Sequence, residues 1–244
     1  MSLDKHLVAL TSPASFAAEQ YQGLRLKVER LRETRDIRVI AITSPGGGEG
    51  KTLTSINLAG ALARGSDARV LVIDADLRRP AVSKHLGLPE NAAGLAELIM
   101  RETGGLREVT HQPESFDLSV VPAGSASASV HKILRSARLE QLIQEARASY
   151  DYVVIDTAPL MPVFDAALLA RSVDGVLLVV AANRTPRKML EEAFNLLEAS
   201  TVLGIVFNGD EKPFLGYSRS NRYYHQYFQE PATTTSERVN RPAC

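Results

Sequence analysis

The sequence predicts an α/β fold in which a mostly parallel sheet carries helices on both faces. Six short apolar runs alternate with segments of helical periodicity, a pattern typical of buried strands joined by helical crossovers. A glycine-rich stretch follows the first run, and acidic residues follow the second and the fourth. Because ligands of such sheets bind at the carboxyl ends of the strands, these residues mark the candidate site.

The composition is that of one soluble domain. Of the 244 residues, 45% are hydrophobic and 23% are charged, which suits a single core. Basic and acidic residues number 28 each, so the overall charge does not indicate a nucleic-acid binder. Cys244 is the one cysteine, which excludes an internal disulfide and favours a reducing cytoplasm. No apolar run approaches the roughly 20 residues of a spanning helix, so membrane association is expected through a partner.

The predicted elements follow one another along the chain. Residues 1–15 are expected to form a flexible leader, and Phe16–Arg32 has apolar residues at helical spacing. Residues 16–212 are predicted to form one domain and residues 213–244 a flexible, tyrosine-rich tail. The predicted strands are Val39–Ile42, Arg69–Ile73, Leu118–Val121, Tyr152–Ile155, Gly175–Val180 and Leu203–Phe207, and the predicted helices between them are Lys51–Ala63, Leu95–Arg101, Ala137–Ala148, Asp165–Arg171 and Arg187–Ala199.

The stretch Ser44–Thr52 predicts the phosphate-binding loop of a P-loop NTPase. It reads Ser-Pro-Gly-Gly-Gly-Glu-Gly-Lys-Thr between a strand and a helix, where backbone N–H groups and the helix N-terminus can face a polyanion. Lys51 supplies a point charge and Thr52 a hydroxyl for Mg²⁺. Pro45 stands where the strict pattern has glycine, so a plain glycine-rich turn is the alternative. The expected nucleotide contacts are Gly46, Gly47, Gly48, Glu49, Gly50, Lys51, Thr52 and Leu53.

Acidic residues at two further strand ends predict a metal–phosphate centre beside this loop. Asp74 and Asp76 follow the second apolar run, and Asp156 closes the fourth. Carboxylates are needed there to hold Mg²⁺ and to orient an attacking group. Each aspartate alone could instead cap the next helix. All three together with the loop favour a nucleotide site.

In combination, these motifs resemble the bacterial tyrosine kinases of capsule and exopolysaccharide synthesis, a MinD-like branch of the P-loop NTPases. The resemblance rests on the loop, on Asp-Ala-Asp-Leu-Arg-Arg-Pro at 74–80, on Tyr-Val-Val-Ile-Asp-Thr-Ala-Pro at 152–159 and on the tyrosine-rich C-terminus. It implies ATP and Mg²⁺ as ligands. By this resemblance Lys51 neutralises the β- and γ-phosphates, Thr52 ligates Mg²⁺, Asp74 accepts or orients the tyrosine hydroxyl proton, and Asp76 and Asp156 hold the metal.

The resemblance also implies roles near the C-terminus. Asn208 would contact the adenine ring, although an asparagine before a glycine is equally typical of a turn. Asp165 matches a family segment, with a helix cap as its alternative. The tail tyrosines would be autophosphorylation sites presented to a neighbouring subunit, whereas the alternative is a tail that docks on the domain. These tyrosines are Tyr217, Tyr223, Tyr224 and Tyr227.

In the family, a Glu-x-x-Arg-x-x-Arg helix before the first strand assembles rings. This chain has Glu19, Gln22 and Arg25 at those positions, so Glu19 and Arg25 are the predicted oligomerisation residues, with a thinner charge network. A solvated helix face is the alternative. The sequence lacks the membrane-spanning adaptor that many relatives carry, which implies a separate transmembrane polysaccharide co-polymerase as activator. The protein is then expected in the cytoplasm, at the inner face of the membrane.

Three hypotheses of function follow. The leading one is a Mg²⁺–ATP-dependent tyrosine autokinase that regulates polysaccharide polymerisation or export. The rival is a nucleotide switch of the MinD or ParA class, in which water attacks the γ-phosphate; Gly46–Gly48 leave no place for the second loop lysine of that class. The third is a scaffold that binds nucleotide without transfer, a hypothesis motivated by Pro45 and Gln22.

Overall fold

The fold is built on one sheet of six parallel strands in the order β3-β2-β4-β1-β5-β6. The structure is a computed structural model and describes residues 3–89, 91–101, 103–113, 116–125, 129–197 and 202–209. The strands are β1 Val39–Thr43, β2 Val70–Asp74, β3 Ser119–Val121, β4 Tyr152–Asp156, β5 Gly175–Ala181 and β6 Val202–Asn208. The helices are α1 Val8–Thr11, α2 Phe16–Arg35, α3 Lys51–Ser66, α4 Val82–Leu86, α5 Leu95–Arg101, α6 Val130–Leu134, α7 Ala137–Ser149, α8 Asp165–Leu169 and α9 Arg187–Leu196, with 3-10 turns at Leu106–Glu108 and Ala170–Ser172.

The predicted fold class is confirmed, and the predicted strands and longer helices are present with ends that agree within about one helical turn. The short helices α1, α4 and α6 were not predicted, because a segment of about one turn shows no helical periodicity. Within the described residues the chain forms one compact unit. Every helix in the described part of the chain is too short or too polar to cross a bilayer.

Two apolar layers cover the two faces of the sheet. Along β1, Val39 and Ala41 face one layer, whereas Ile40 and Ile42 face the other. The first layer contains buried residues of α5 to α9, and the second contains buried residues of α1 to α4. Because both faces are buried, the strands are apolar at nearly every position. The edge strand β6 is the exception, since it is half-buried or exposed throughout.

The expectation of a flexible leader is wrong for residues 3–15. Leu7 and Ala9 are fully buried, and the Ala9 N–H donates to Asn57 Oδ1 of α3 at 2.9 Å. Gly60 of α3 lets this segment approach closely, because a β-carbon there would lie 2.6 Å from Leu10 Cδ2. The segment is polar in overall composition, but its few apolar side chains pack against α3 and hold it in place.

Candidate active site

The candidate site lies where three strands end beside one another. Strand β4 lies between β1 and β2, so Asp156 is opposite Ile42 on one side and Asp74 on the other. Strand β1 then continues through residues 44–50 into α3. The chain leaves β1 at the point where the strand order reverses, which is where ligands bind in open parallel sheets.

The loop 44–50 is held by its own hydrogen bonds and by the segment after β4. The Ser44 hydroxyl donates to the Gly46 carbonyl at 2.6 Å. The Ser44 and Pro45 carbonyls accept from the N–H groups of Leu160, at 2.8 Å, and Met161, at 3.1 Å. Pro45, the departure from the strict motif, is therefore held in place through its carbonyl, which is the one backbone hydrogen-bonding group that proline has.

Glu49, predicted as a nucleotide contact, braces the loop from inside. Its side chain is buried, and Oε1 accepts from the Gly46 N–H at 2.8 Å. Oε2 accepts from the Ala181 N–H at 3.0 Å and from the Thr185 hydroxyl at 2.9 Å. These bonds tie the loop to the end of β5. Thr185 was not predicted, because it follows β5 with no motif around it.

Asn208, at the end of β6, also supports the loop. Its Nδ2 donates to the Glu49 carbonyl at 2.9 Å. Gly50 must lack a side chain for this to happen, since a β-carbon there would lie 1.9 Å from Asn208 Nδ2, and the φ of Gly50 is +88°. The turn predicted as the alternative for Asn208 is present in part, because Gly209 has a positive φ.

The start of α3 presents charge and unpaired donors. Lys51 Nζ lies 3.0 Å from Asp76 Oδ2. Burial lowers the pKa of Lys51, but the carboxylates of Asp156 and Asp76 outweigh it, so the net shift is upward and the ammonium is charged at neutral pH. Leu53 packs its side chain against the apolar layer, so its backbone N–H alone is available to a phosphate.

Thr52 and Asp156 are joined across the site. The Thr52 hydroxyl donates to Asp156 Oδ2 at 2.7 Å, and the Ser55 hydroxyl donates to Asp156 Oδ1 at 3.1 Å. Burial raises the pKa of Asp156 to about 6, against the lowering effect of Lys51 and of the two hydroxyls. Ser55 was not predicted, although its position one turn after Lys51 places it on the same face of the helix.

Asp74 organises the turn that follows β2. Its Oδ1 accepts from the Asp76 N–H at 3.1 Å, and its Oδ2 accepts from the N–H groups of Ala81 and Val82 at 3.0 Å each. Burial, with the charge of Asp156 second, raises the pKa of Asp74 to about 7 despite these bonds. The capping alternative therefore applies to Asp74, which caps α4, and it does not exclude proton transfer by the same carboxyl.

Asp165 links α8 to the turn that follows β2. It is the first residue of α8 and is buried. It binds the Arg78 guanidinium through two hydrogen bonds, Nε to Oδ2 at 2.5 Å and Nη2 to Oδ1 at 3.2 Å. Neither of its carboxylate oxygens caps α8, whose N-cap is Phe164 with no side-chain cap bond.

The predicted oligomerisation residues lie on α2, and the side-chain hydrogen bonds of Arg25 are made within that helix. Glu19 is exposed. Arg25 receives support from its own helix, donating to Gln22 Oε1 at 2.8 Å and to Glu29 Oε1 at 2.9 Å. The predicted acceptors Tyr217, Tyr223, Tyr224 and Tyr227 lie outside the described residues.

Comparison with known proteins shows which family and fold the chain resembles. A family model described as an AAA domain matches residues 37–198. The chain is 32% identical to the tyrosine-protein kinase YwqD of Bacillus subtilis, over 85% of this chain and 87% of that protein. It is 33% identical to the succinoglycan biosynthesis transport protein ExoP of Rhizobium meliloti, over 90% of this chain but 29% of that longer protein. The kinase domain of Escherichia coli tyrosine kinase ETK superposes with a TM-score of 0.79 at 29% identity, over 85% of this chain and 82% of that one.

Proposed function

The chain belongs to the family of bacterial tyrosine-protein kinases, and we propose that it transfers the γ-phosphate of ATP to tyrosine hydroxyls, those of its own C-terminal cluster included. The main support for the proposal is that Lys51, Thr52, Asp74 and Asp156 lie together at the carboxyl edge of the sheet. The kinship with ExoP, named as a biosynthesis transport protein, supports a role in exopolysaccharide or capsule polymerisation or export.

The loop and α3 supply the ATP site in this proposal. Residues Gly46–Gly50 and the first turn of α3 offer backbone N–H groups at a helix N-terminus, where a polyphosphate binds favourably. Lys51 adds a full positive charge at the same place. Asn208 Nδ2 is used by the loop, while its Oδ1 has no hydrogen-bond partner among the described residues. That oxygen is the acceptor we assign to the amino group of adenine.

The residues present fit Mg²⁺. The Thr52 hydroxyl and the carboxylates of Asp76 and Asp156 are the hard oxygen donors that this ion prefers. Within the described residues no group of three or more His, Cys, Asp or Glu forms a protein-only metal cage, as is usual for sites completed by phosphate oxygens and water. Held by these residues, Mg²⁺ would supply positive charge to offset the negative charge that develops on the phosphate oxygens.

Asp74 is the proposed proton acceptor. A pKa raised to about 7 lets its carboxyl take up and release a proton at physiological pH. In the transfer step, the phenol oxygen forms a bond to the γ-phosphorus as the bond to the β–γ bridging oxygen breaks. ADP leaves, and the phenol proton passes to Asp74. Lys51 holds phosphate charge, and positioning supplies the rest of the rate enhancement.

Tyr217, Tyr223, Tyr224 and Tyr227 are the proposed acceptors, presented to the site of a second copy. Ring assembly through Glu19 and Arg25 belongs to the same proposal. Because Arg25 already binds Gln22 and Glu29, assembly through Arg25 requires it to share or exchange those partners. A transmembrane polysaccharide co-polymerase is the proposed activator and the means of placing the kinase at the membrane.

The proposal is tested by incubating the full chain with ATP and Mg²⁺ and mapping phosphotyrosine by mass spectrometry. We expect phosphate on the tail tyrosines of the wild type and its loss in Lys51→Met and Asp74→Asn. A variant with all four tail tyrosines changed to Phe should lose self-modification and keep nucleotide binding. ATP hydrolysis that is unchanged in that variant, with no phosphotyrosine in the wild type even beside a co-polymerase's cytoplasmic segment, would instead support the nucleotide switch.

A further inference from the structure

We propose that Arg78 and Asp165 form a positioning pair that keeps Asp76 at the phosphate site while Lys51 moves from Asp76 to the nucleotide. The proposal rests on the proposed function. In the proposed transfer step, neither residue of the pair touches the reacting atoms. Their role is to hold the turn between β2 and α4, and their effect reaches the reaction through Asp76.

Asp76 has two kinds of partner that differ in permanence. Its Oδ2 binds Lys51 Nζ at 3.0 Å, and its Oδ1 accepts from the Arg79 N–H at 3.0 Å. The ammonium of Lys51 is the charge that must reach the phosphates. As it does so, the ion pair with Asp76 weakens, and the buried carboxylate exchanges a cation fixed to the protein chain for one that arrives with the nucleotide. Something other than Lys51 must then fix the turn.

The backbone N–H of Ala75, at the start of this turn, donates to the Asp156 carbonyl at 2.8 Å, and two anchors made by side chains also do not involve Lys51. The first is local, since Asp74 accepts the N–H groups of Asp76, Ala81 and Val82. The second is the Arg78–Asp165 pair, whose members are 87 residues apart in sequence. Its geometry is bidentate, and Asp165 is 4% exposed. A bidentate pair with one buried member fixes direction as well as distance.

Asp165 is itself fixed to the phosphate loop. It begins α8, directly after the segment whose Leu160 and Met161 N–H groups donate to the Ser44 and Pro45 carbonyls. The Thr43 hydroxyl also donates to the Ala158 carbonyl of that segment at 2.9 Å. Arg78 therefore ties the turn between β2 and α4 to the same segment that holds the loop. In the proposal, the pair keeps Asp76 beside the phosphate site through contacts that involve neither Lys51 nor the nucleotide.

The sequence offers a matched control in the next residue. Arg79 has the same charge and side chain and is exposed, but its guanidinium has no partner among the described residues. An arginine needed only for surface charge would behave alike at either position. The positioning role predicts that Arg78 matters and that Arg79 does not.

The experiment compares Arg78→Ala, Asp165→Asn and the double variant with Arg79→Ala in the full chain. Steady-state phosphorylation should show kcat reduced about 10- to 100-fold in the first three, with KM for ATP changed by less than about threefold. The double variant should be no worse than either single one, because the two residues act as a unit. Arg79→Ala should match the wild type. Melting temperatures measured alongside separate positioning from loss of the fold.

A second readout does not depend on kinase activity. The affinity for a fluorescent ADP analogue should rise on adding Mg²⁺ in the wild type and in Arg79→Ala, and this gain should shrink at least about threefold in Arg78→Ala and Asp165→Asn. Equal effects at Arg78 and Arg79, additive losses in the double variant, or an unchanged Mg²⁺ gain would overturn the pairing. Absence of phosphotyrosine in the wild type would overturn the proposed function alone, and the Mg²⁺ gain would still decide the role of the pair.

Discussion

Asp74 and Asp156 stand opposite each other in register at the ends of β2 and β4, and both are fully buried. Burial raises the pKa of each carboxyl, and the charge of Asp156 adds to the rise at Asp74. When both carboxyls are ionised, their negative charges repel each other, and a cation or a phosphate-bound metal can relieve that repulsion. The same repulsion makes the stability of the nucleotide-free protein depend on pH.

The first prediction concerns this pH dependence. Both carboxyls bind protons more tightly in the folded chain than in the unfolded one, so their contribution to the free energy of unfolding falls as pH rises from about 4 to about 7. Asp156→Asn removes one charge and keeps the shape. Of the Thr52 and Ser55 hydroxyls, which bind different oxygens of Asp156, the one facing the new amide nitrogen can turn to accept from it, while the other still donates to the amide oxygen. We expect this variant to be more stable at pH 8, by on the order of 1 to 2 kcal/mol, and to show a flatter profile.

Thermal melts without nucleotide at pH 5 to 8 measure the effect. Asp117→Asn, at an exposed position, serves as the control and should follow the wild-type profile. The wild-type melting temperature could instead increase from pH 6 to pH 8 relative to that of Asp156→Asn. That result would contradict a raised pKa for Asp156, since it would mean that ionisation of this carboxyl stabilises the fold.

The second prediction concerns Gly50. Alanine there would place a β-carbon 1.9 Å from Asn208 Nδ2 at a φ of +88°, so either the loop or the end of β6 must move. We expect Gly50→Ala to lower the free energy of unfolding by about 2 kcal/mol or more. Gly23→Ala in α2, where nothing lies within 4 Å, should instead stabilise by about 0.5 to 1 kcal/mol. Urea denaturation distinguishes the two, and equal losses would contradict the steric explanation.

The fold was predictable because its signals are carried by many residues at once. Strands such as Gly175–Ala181 are buried at every position. In an α/β protein, a continuous apolar run of this length predicts a central strand covered on both faces. The sequence of the N-terminal segment predicts flexibility because the burial of Leu7, Ala9 and Leu10 depends on their contact with a surface of α3. That surface exists only after α3 has packed on the sheet, so local composition cannot reveal it.

The site was predictable to the extent that its residues stand at strand ends. Asp74, Asp156 and Lys51 follow from position in the sheet. The contacts of the supporting residues do not, because Thr185 and Asp165 bind partners more than 80 positions away in sequence. Thr185 belongs to no local pattern, and the family segment that Asp165 matches does not predict Arg78 as its partner. The loop motif predicts that Glu49 contacts the nucleotide. The structure turns its carboxylate inward because three donors meet there.

The third prediction concerns this brace. Thr185→Val keeps the volume of the side chain and removes the hydrogen bond to Glu49 Oε2, leaving a buried carboxylate with one donor fewer. We expect a loss of about 1 to 2 kcal/mol in stability and a weaker affinity for nucleotide, because the loop is less well ordered. Thr185→Ser retains the hydroxyl and should stay close to the wild type in calorimetric titration with ADP. If the two variants bind ADP equally well, the hydroxyl does not support the loop.

The last prediction concerns Asn57, which fastens the N-terminal segment to the helix that begins at the phosphate loop. It is buried; its Oδ1 accepts the Ala9 N–H, and its Nδ2 donates to the His6 and Leu53 carbonyls at 3.0 Å and 2.9 Å. Asn57→Ala leaves the Ala9 N–H buried without an acceptor, which should cost about 2 to 3 kcal/mol.

Hydrogen exchange should locate that loss in residues 4–11 and spare the strands, since the segment can open without unfolding the sheet. Thr34→Ala, which removes only exposed bonds from its hydroxyl to the Arg30 and Leu31 carbonyls, controls for loss of a side-chain hydrogen bond as such. Exchange that accelerates uniformly in Asn57→Ala would mean that the segment is part of the global unfolding unit. Unchanged exchange in residues 4–11 would mean that Leu7 and Leu10 hold it by apolar packing alone.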